Sequence, residues 1–315
     1  MILVTGAAGF IGFHLCKRLV ADGYEVVGID NLNAYYDPSL KEARLAILAG
    51  FKGFTFHRLD MCDYEGLRAI VDRHRPARIC HLAAQAGVRY SLTNPFAYQK
   101  SNNEGFLSVL EIARCCRVEN FVYASSSSVY GGNAKLPFSE SDRVDNPLSL
   151  YAATKRSNEL TAHCYSRLYG LNCSGLRFFT VYGPWGRPDM ALFLFTKAIL
   201  EGRPIEVFNG GKMKRNFTYV DDIVDGILLT LSHPLPSEIY NIGNSRAEDL
   251  MDFIGEIETN LGTKAAIDFR PMQAGDVPAT IADIDKLSRL GYAPKTNIDA
   301  GVKRFVQWYR DYYRV

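Results

Sequence analysis

Tyr151 and Lys155 stand four residues apart in a helical pattern, so both side chains project from one helix face. This is the only Y-x-x-x-K in the chain. Upstream, an apolar run that reads as a strand ends in four serines, Ser125, Ser126, Ser127 and Ser128. Sheets of parallel strands bind their ligands at the strands' carboxyl ends. A serine hydroxyl, a phenol and an ammonium converging there form a proton-transfer set. The spacing predicts that Lys155, with a cationic ring bound nearby, lowers the Tyr151 phenol pKa and makes it a base near neutral pH. Each motif alone has a plainer reading, a serine-rich turn and a surface i, i+4 pair. Their order, about one crossover apart, favours chemistry.

A second set opens the chain. Gly6-Ala7-Ala8-Gly9-Phe10-Ile11-Gly12 follows a short apolar strand and leads into a helical pattern. Gly6, Gly9 and Gly12 allow a tight turn, close approach of a pyrophosphate, and close helix–strand packing. The spacing is GxxGxxG rather than GxGxxG. Asp30 ends the next strand, where a carboxylate would bind a ribose 2′-hydroxyl and repel a 2′-phosphate. The pair points to a dinucleotide site that prefers NAD to NADP.

The elements that must position these groups alternate. Strands are expected at 2–4, 25–29, 54–56, 79–82 and 121–124. Helices are expected at about 10–21, 39–49, 64–73, 94–113 and 149–168. Such alternation implies an α/β fold, a doubly wound parallel sheet of Rossmann type. Beyond residue 176 Gly and Pro punctuate the chain, with helical patterns at 190–200, 221–231 and 247–261. The expected division is a dinucleotide-binding domain at 1–175, rejoined by 218–243, and a smaller α/β substrate lobe at 176–217 and 244–315.

Composition bounds the rest. The 315 residues are 47% hydrophobic and 22% charged, with Lys+Arg 36 against Asp+Glu 34. That balance suits a globular protein of two domains and excludes the strong positive field of a nucleic-acid binder. No apolar run is long enough for a membrane helix, and the start MILVTG reads as strand rather than signal peptide. The seven cysteines show no CxxC pair and read as thiols in a reducing cytoplasm. The histidines show no ligand spacing, so no metal site is expected. The aromatic cluster Trp308, Tyr309, Tyr312 and Tyr313 reads as C-terminal packing.

Gly6–Gly12, Asp30, Asp60, the string HLAA at 81–84, Asn102, SSSSVYG and Tyr151-x-x-x-Lys155 together resemble the extended short-chain dehydrogenase/reductase family. The resemblance runs through essentially the whole chain. Three strings are similar to the UDP-glucuronate 4-epimerases within it: DNLNAYYDPSLKEARL at 30–45, AGVRYSLTNP at 86–95 and FTVYGPWGRPDMA at 179–191. KRNFTYVDD and QAGDVPATIAD resemble the nucleotide-sugar lobe of such enzymes.

The resemblance implies reversible C4 epimerisation of a UDP-uronic acid with bound NAD. Tyr151 would take the O4 proton, Ser126 would hydrogen-bond O4, and Ser127 would lie beside it. Phe10, Ile11, Asp60, Met61, Leu82, Ala83 and Asn102 would line the cofactor site with the glycines, Asp30, Tyr151 and Lys155. Arg187 with Thr180 would grip the sugar carboxylate, a guanidinium offering two parallel hydrogen bonds. Arg89 and Arg215 are candidates for the diphosphate and Asp276 for the uridine ribose. The two arginines, like Arg187, could instead be ordinary surface or loop residues. Related dehydratases and decarboxylases carry acidic residues beside the Ser126 position, where this chain has serines. That argues against dehydration and, more weakly, against decarboxylation. Epimerisation of a neutral UDP-hexose and UDP-glucuronate decarboxylation stay open as alternatives, as does a non-catalytic NAD-sensing protein. A homodimer through the helices at 94–113 and 149–168 is expected, from Phe106, Val109, Leu110 and Leu160, although core packing would use the same residues.

Overall fold

The structure, a computed structural model, describes residues 1–273 and 277–315. Its centre is a seven-stranded parallel sheet of β1 (Ile2–Thr5), β2 (Val26–Asp30), β3 (Phe54–Arg58), β4 (Arg78–His81), β5 (Asn120–Ser126), β6 (Cys173–Phe178) and, further along the chain, Glu238–Ile242. The chain starts in the middle, at β1, and winds outward through β2 to β3. It then returns to the other side of β1 and proceeds through β4, β5 and β6 to the Glu238–Ile242 edge. The switch in direction lies between β1 and β4, and the carboxyl ends of those strands open a crevice there.

Period-two alternation sends Leu3, Val27, Ile79 and Phe121 into one apolar cluster and Ile2, Val4, Val26, Cys80 and Val122 into another. Both faces are thus covered. The covering helices include α1 (Phe10–Ala21), α2 (Ser39–Leu48) and α3 (Tyr64–His74). They continue as α4 (Tyr90–Thr93), α5 (Pro95–Tyr98), α6 (Gly105–Cys115) and α7 (Leu150–Tyr169). Ser149 starts α7 by accepting the Ala152 N–H at 3.1 Å, and Gly170 ends it in the left-handed region at φ 69°.

The expected single helix at 94–113 is not continuous. Pro95 opens α5 at its first position, and a π-helical segment, Gln99–Glu104, separates α5 from α6. In that segment Asn158 of α7 donates to the Asn102 carbonyl at 2.6 Å. A side chain from α7 thus reaches the ladder where its pitch changes.

The second half carries β7 (Thr180–Tyr182), α8 (Ala191–Leu200), β8 (Ile205–Phe208), β9 (Lys214–Arg215), β10 (Phe217–Tyr219) and α9 (Val220–Ser232). After the edge strand β11 (Glu238–Ile242) come β12 (Glu248–Asp249), α10 (Leu250–Leu261), β13 (Ile267–Arg270), α11 (Asp285–Ser288) and α12 (Ile298–Tyr313). β7 pairs with β10, β8 with β13 and β9 with β12 in small ladders beside the main sheet. β6 runs across the expected boundary at 175, and of the 218–243 segment only β11 enters the main sheet. The C-terminal aromatics pack inward: Trp308 and Tyr312 lie 5.2 and 5.0 Å from Trp185, and Tyr309 lies 5.1 Å from Phe193. The seven cysteines are free thiols. Among the described residues no helix is long and apolar enough to cross a membrane.

Candidate active site

Two strand ends and two loops converge on the crevice. At the end of β1 the chain turns through Gly6 at φ 72°, where an added Cβ would lie 2.8 Å from the Ala83 nitrogen after β4. A Cβ at Gly12 would lie 2.0 Å from the Gly6 carbonyl oxygen. The first glycine lets two strand ends touch, and the last lets α1 sit on the turn. No side chain caps α1 at Gly9, so the N–H groups of Phe10 and Ile11 stand at an uncapped helix N-terminus.

Asp30 is tied to this turn. Its Oδ2 accepts the Ala8 N–H at 3.2 Å, its Oδ1 accepts the Leu32 N–H at 2.9 Å, and Lys41 Nζ lies 3.8 Å away. Asp60 at the end of β3 accepts the Cys62 N–H and the Asn31 side-chain amide, both at 3.0 Å. Met61 packs on Gly105 of α6. Leu82 and Ala83 follow β4, where the Ala83 N–H donates to Thr5 Oγ1 at 3.2 Å. Asn31, Asn33, Tyr35, Gln85 and Lys100 line a cavity beside this group, and sequence reasoning did not single them out. The Asn-Leu-Asn after Asp30 was the available signal.

Both polar atoms of the Asn102 side chain are hydrogen-bonded within the fold. Its oxygen accepts the Gln85 N–H at 2.8 Å, and its nitrogen donates to the Gln85 carbonyl and Thr154 Oγ1, both at 3.0 Å. It holds the strand end after β4 against α7.

Ser126, Tyr151 and Lys155 come together at the end of β5. Ser126 ends β5 and accepts the Ser128 N–H at 3.1 Å, while Ser127 lies partly buried beside it. Tyr151, in the first turn of α7, packs edge-on to Tyr98 at 6.1 Å. Lys155 is 2% exposed and its Nζ donates to the Ala124 carbonyl at 2.9 Å; burial pushes its pKa down to about 8. Among the chain's own groups, the balance raises the Tyr151 phenol above its ordinary value. Burial lifts it, and the groups that oppose the rise are the Ser126 hydroxyl and the Arg187 guanidinium. The Lys155 ammonium faces the β5 backbone. The protein's own groups therefore keep Tyr151 protonated at neutral pH.

Arg187 approaches from the loop between β7 and α8. That loop is unusual, because Trp185 sits at φ 61°, a conformation that costs a non-glycine residue about 1 kcal/mol or more. The guanidinium of Arg187 is already paired. Its Nε donates to Asp189 Oδ1 at 3.0 Å and its Nη2 to Asp189 Oδ2. Burial works to raise Asp189, yet Arg187 and the Tyr35 hydroxyl hold it below the ordinary carboxylate value. Thr180 and Arg187 line one cavity with Phe10 of α1, so the substrate loop meets the dinucleotide turn.

The other candidates stand further toward the second lobe. Arg89 is exposed, its guanidinium 5.3 Å from the Phe208 ring. Arg215 donates to the carbonyls of Lys214 and Pro278 at 3.0 and 3.2 Å. Asp276 lies outside the described residues. Phe106, Val109 and Leu110, expected at a helical interface, are buried in the core, and only Leu160 of that set is exposed.

A doubly wound parallel sheet, an uncapped Gly-rich helix start and a Ser–Tyr–Lys cluster at neighbouring strand ends define a dinucleotide-dependent enzyme of the short-chain dehydrogenase/reductase type. The chain belongs to the NAD dependent epimerase/dehydratase family, whose model matches residues 2–243. A probable UDP-glucuronate 4-epimerase of Rhizobium meliloti is 46% identical, over 99% of this chain and 97% of its own. UDP-glucuronate 4-epimerase 4 of Arabidopsis thaliana is 47% identical, over 99% of this chain and 76% of its own. The crystal structure of UDP-glucuronic acid 4-epimerase from Bacillus cereus, in complex with UDP-glucuronic acid and NAD, superposes with a TM-score of 0.93. The two chains are 35% identical and each is covered to 99%.

Proposed function

We propose that this protein interconverts UDP-glucuronate and UDP-galacturonate by inverting C4, with NAD as a resident cofactor. The observation that carries the reading is that the Arg187 guanidinium acts on the same Tyr151 phenol that the Ser126 hydroxyl meets, which sets a cation able to bind a carboxylate near that phenol.

The residues present fit a dinucleotide. Gly6, Gly9 and Gly12 leave no room for a Cβ, and no side chain caps α1 against an anion. Gly6, Gly9, Phe10, Ile11 and Gly12 would hold the pyrophosphate, Asp30 the adenosine ribose, and Asp60 with Met61 the adenine side. Leu82, Ala83, Tyr151 and Lys155 would flank the nicotinamide half, with Asn102 fixing the strand end beneath it. Bound NAD⁺ supplies an acceptor for the C4 hydride, which it later returns, and a positive ring that favours the tyrosinate.

The chain's own groups do the rest. Tyr151 takes the O4 proton and afterwards returns it on the opposite face of the sugar. Ser126 donates a hydrogen bond that orients O4. Thr180 and Arg187 hold the C6 carboxylate, and Arg89, Arg215 and Asp276 are assigned to the UDP moiety. The 1–175 domain would carry the cofactor, and the lobe at 176–217 and 244–315 the nucleotide sugar. Ser127 and Ser128 place no acid beside Ser126, so elimination of water has no proton donor there.

One observation favours a second reading. Asp189 already balances the Arg187 charge, which would suit the 4-epimerisation of a neutral UDP-hexose. The apolar side chains exposed on α4 to α7, among them Leu92, Phe96, Leu107, Leu160 and Leu168, support a homodimer through those helices. The thiols support a reducing cytoplasm as its location.

The test is to incubate the purified protein with UDP-glucuronate, without added NAD⁺, and follow the sugar protons by NMR. UDP-galacturonate is the expected product and would also report a retained cofactor. A UDP-pentose would mean decarboxylation. Turnover of UDP-glucose alone would select the second reading.

A further inference from the structure

The fork of Arg187 is filled from within its own loop. Nε and Nη2 of the guanidinium meet the two oxygens of Asp189, the side-by-side geometry in which a guanidinium also holds a sugar carboxylate. The Tyr35 hydroxyl donates to Asp189 Oδ2 at 3.0 Å. The Tyr35 ring lies 6.0 Å from the Arg187 guanidinium carbon and 4.9 Å from the Tyr90 ring. Tyr35 lies in the segment after β2, and Arg187 and Asp189 lie in the loop after β7. The three residues thus join the two sides of the crevice beside Tyr151.

We propose that Asp189 is a resident carboxylate ligand of Arg187 that the incoming uronate exchanges for, with Tyr35 holding Asp189 in place until then. The proposal rests on the reading of Arg187 as the carboxylate ligand of the substrate. The exchange replaces one carboxylate by another on the same two N–H groups, so the guanidinium is never left bare. No covalent bond forms or breaks, and the charge on the fork is the same before and after. The consequence is a weaker but more labile grip. A guanidinium with no competitor would bind the uronate tightly and release it slowly. With Asp189 waiting, Arg187 can let go of one epimer and re-engage the other.

The proposal predicts opposite effects on binding and release. Asp189→Asn keeps the size of the side chain and removes its charge, so the competitor weakens. The Kd for UDP-glucuronate should fall about fivefold, the scale expected for losing a partly exposed ion pair. The Kd for UDP, which has no carboxylate, should not change. KM should fall with Kd while kcat falls or stays level. Tyr35→Phe loosens Asp189 without removing it and should shift the Kd for UDP-glucuronate the same way by a smaller factor. Calorimetric titration of both nucleotides into the holoenzyme and the two variants reads these numbers without turnover. A Kd for UDP-glucuronate that is unchanged or raised in Asp189→Asn, with UDP binding intact, would overturn the exchange. A wild type that binds UDP-glucuronate no better than UDP-glucose, with neither Kd moved by Arg187→Ala, would instead overturn the reading of Arg187.

Discussion

Lys155 Nζ donates to the carbonyl oxygen of Ala124 at 2.9 Å, a bond from α7 to the strand that ends in Ser126. The bond fixes the register of Tyr151 against Ser126, but it places an ammonium where water does not reach. Burial holds its pKa at about 8, below the usual lysine value. The folded chain therefore binds fewer protons than the unfolded chain between pH 8 and about 10.4, and stability rises with pH across that window. The cost of the buried charge is complete below pH 8.

Lys155→Met removes that charge. It should lose turnover yet melt higher than wild type at pH 7. The released penalty is about 3 kcal/mol, less about 1 kcal/mol for the lost hydrogen bond. For a chain of this size that is a gain of several degrees. The advantage should shrink as pH rises from 8 toward 10. Thermal melts at pH 7, 8.5 and 10 check it, and a variant that melts lower at pH 7 contradicts the buried charge.

Arg187→Ala bears on the fate of the oxidised sugar. Oxidation at C4 makes the C6 carboxylate part of a β-keto acid, which loses CO₂ when the C5–C6 bond aligns with the carbonyl π system. A guanidinium that fixes the carboxylate can hold that bond out of alignment. Without it the share of turnover ending as UDP-pentose and CO₂ should rise about tenfold, the factor 1.4 kcal/mol commands. NMR quantitation of UDP-pentose against UDP-galacturonate measures it, and an unchanged ratio counts against the carboxylate clamp.

The parts of the molecule that were legible before the structure are those with local signals. The strands β1 to β5 alternate or run apolar, and Gly6–Gly12, Ser125–Ser128 and Tyr151–Lys155 lie within a few residues of the elements that aim them, whereas β6, with Ser174, Gly175 and Arg177 among its apolar residues, was not read as a strand. The break in the 94–113 helix was missed because Gln99–Glu104 holds no glycine or proline to signal a change of pitch, and only Pro95 marked a boundary. Asp189 lay in full view two residues after Arg187, but its other partner, Tyr35, is 154 residues away in sequence. Arg44 was missed for another reason. A charged residue in an amphipathic helix reads as surface, and this one is 0% exposed.

Acid should unfold the protein through its buried histidines before its carboxylates. Burial lowers His14 to about 4 and His81 to about 3, and Thr5 Oγ1 lies 2.8 Å from His81 Nδ1. Their folded values lie below the ordinary 6.5. The stability they contribute is thus complete above that pH and is lost as pH falls through 6.5 toward the folded values. Each contributes a slope of up to about 1.4 kcal/mol per pH unit. His57, lowered by burial and by His74, adds a smaller share. Urea unfolding between pH 7 and 5 should show a steep fall, flattened by about one proton in His81→Asn. An equal slope in that variant would clear His81 of the effect.

Arg44 is the strut between the two halves of the site. Its Nη1 donates to the Ala8 carbonyl and the Tyr36 hydroxyl, both at 2.8 Å, and its Nη2 donates to the Trp185 carbonyl at 2.6 Å. Its Nε is buried without a partner, and among the described residues no carboxylate pairs with it. A buried cation without a counter-charge is a poor stabiliser, because its desolvation offsets what its hydrogen bonds contribute. Its position suggests what it does instead. Ala8 belongs to the Gly-rich turn, and Trp185, held at φ 61°, lies in the same loop as Arg187. Arg44→Met removes the charge and all three of these bonds. Two carbonyls then lose a donor, at about 1–3 kcal/mol each, against the desolvation relieved. The melting temperature should move by only a few degrees. The released loop should present Arg187 less often in its binding position, raising KM for UDP-glucuronate about tenfold with kcat less affected, since Ser126, Tyr151 and Lys155 are held by other bonds. Arg44→Lys should fail similarly, because one ammonium cannot reach carbonyls on both sides at once. Steady-state kinetics beside thermal melts decide the matter: a fall of more than ten degrees with KM unchanged would make Arg44 a core residue and nothing more.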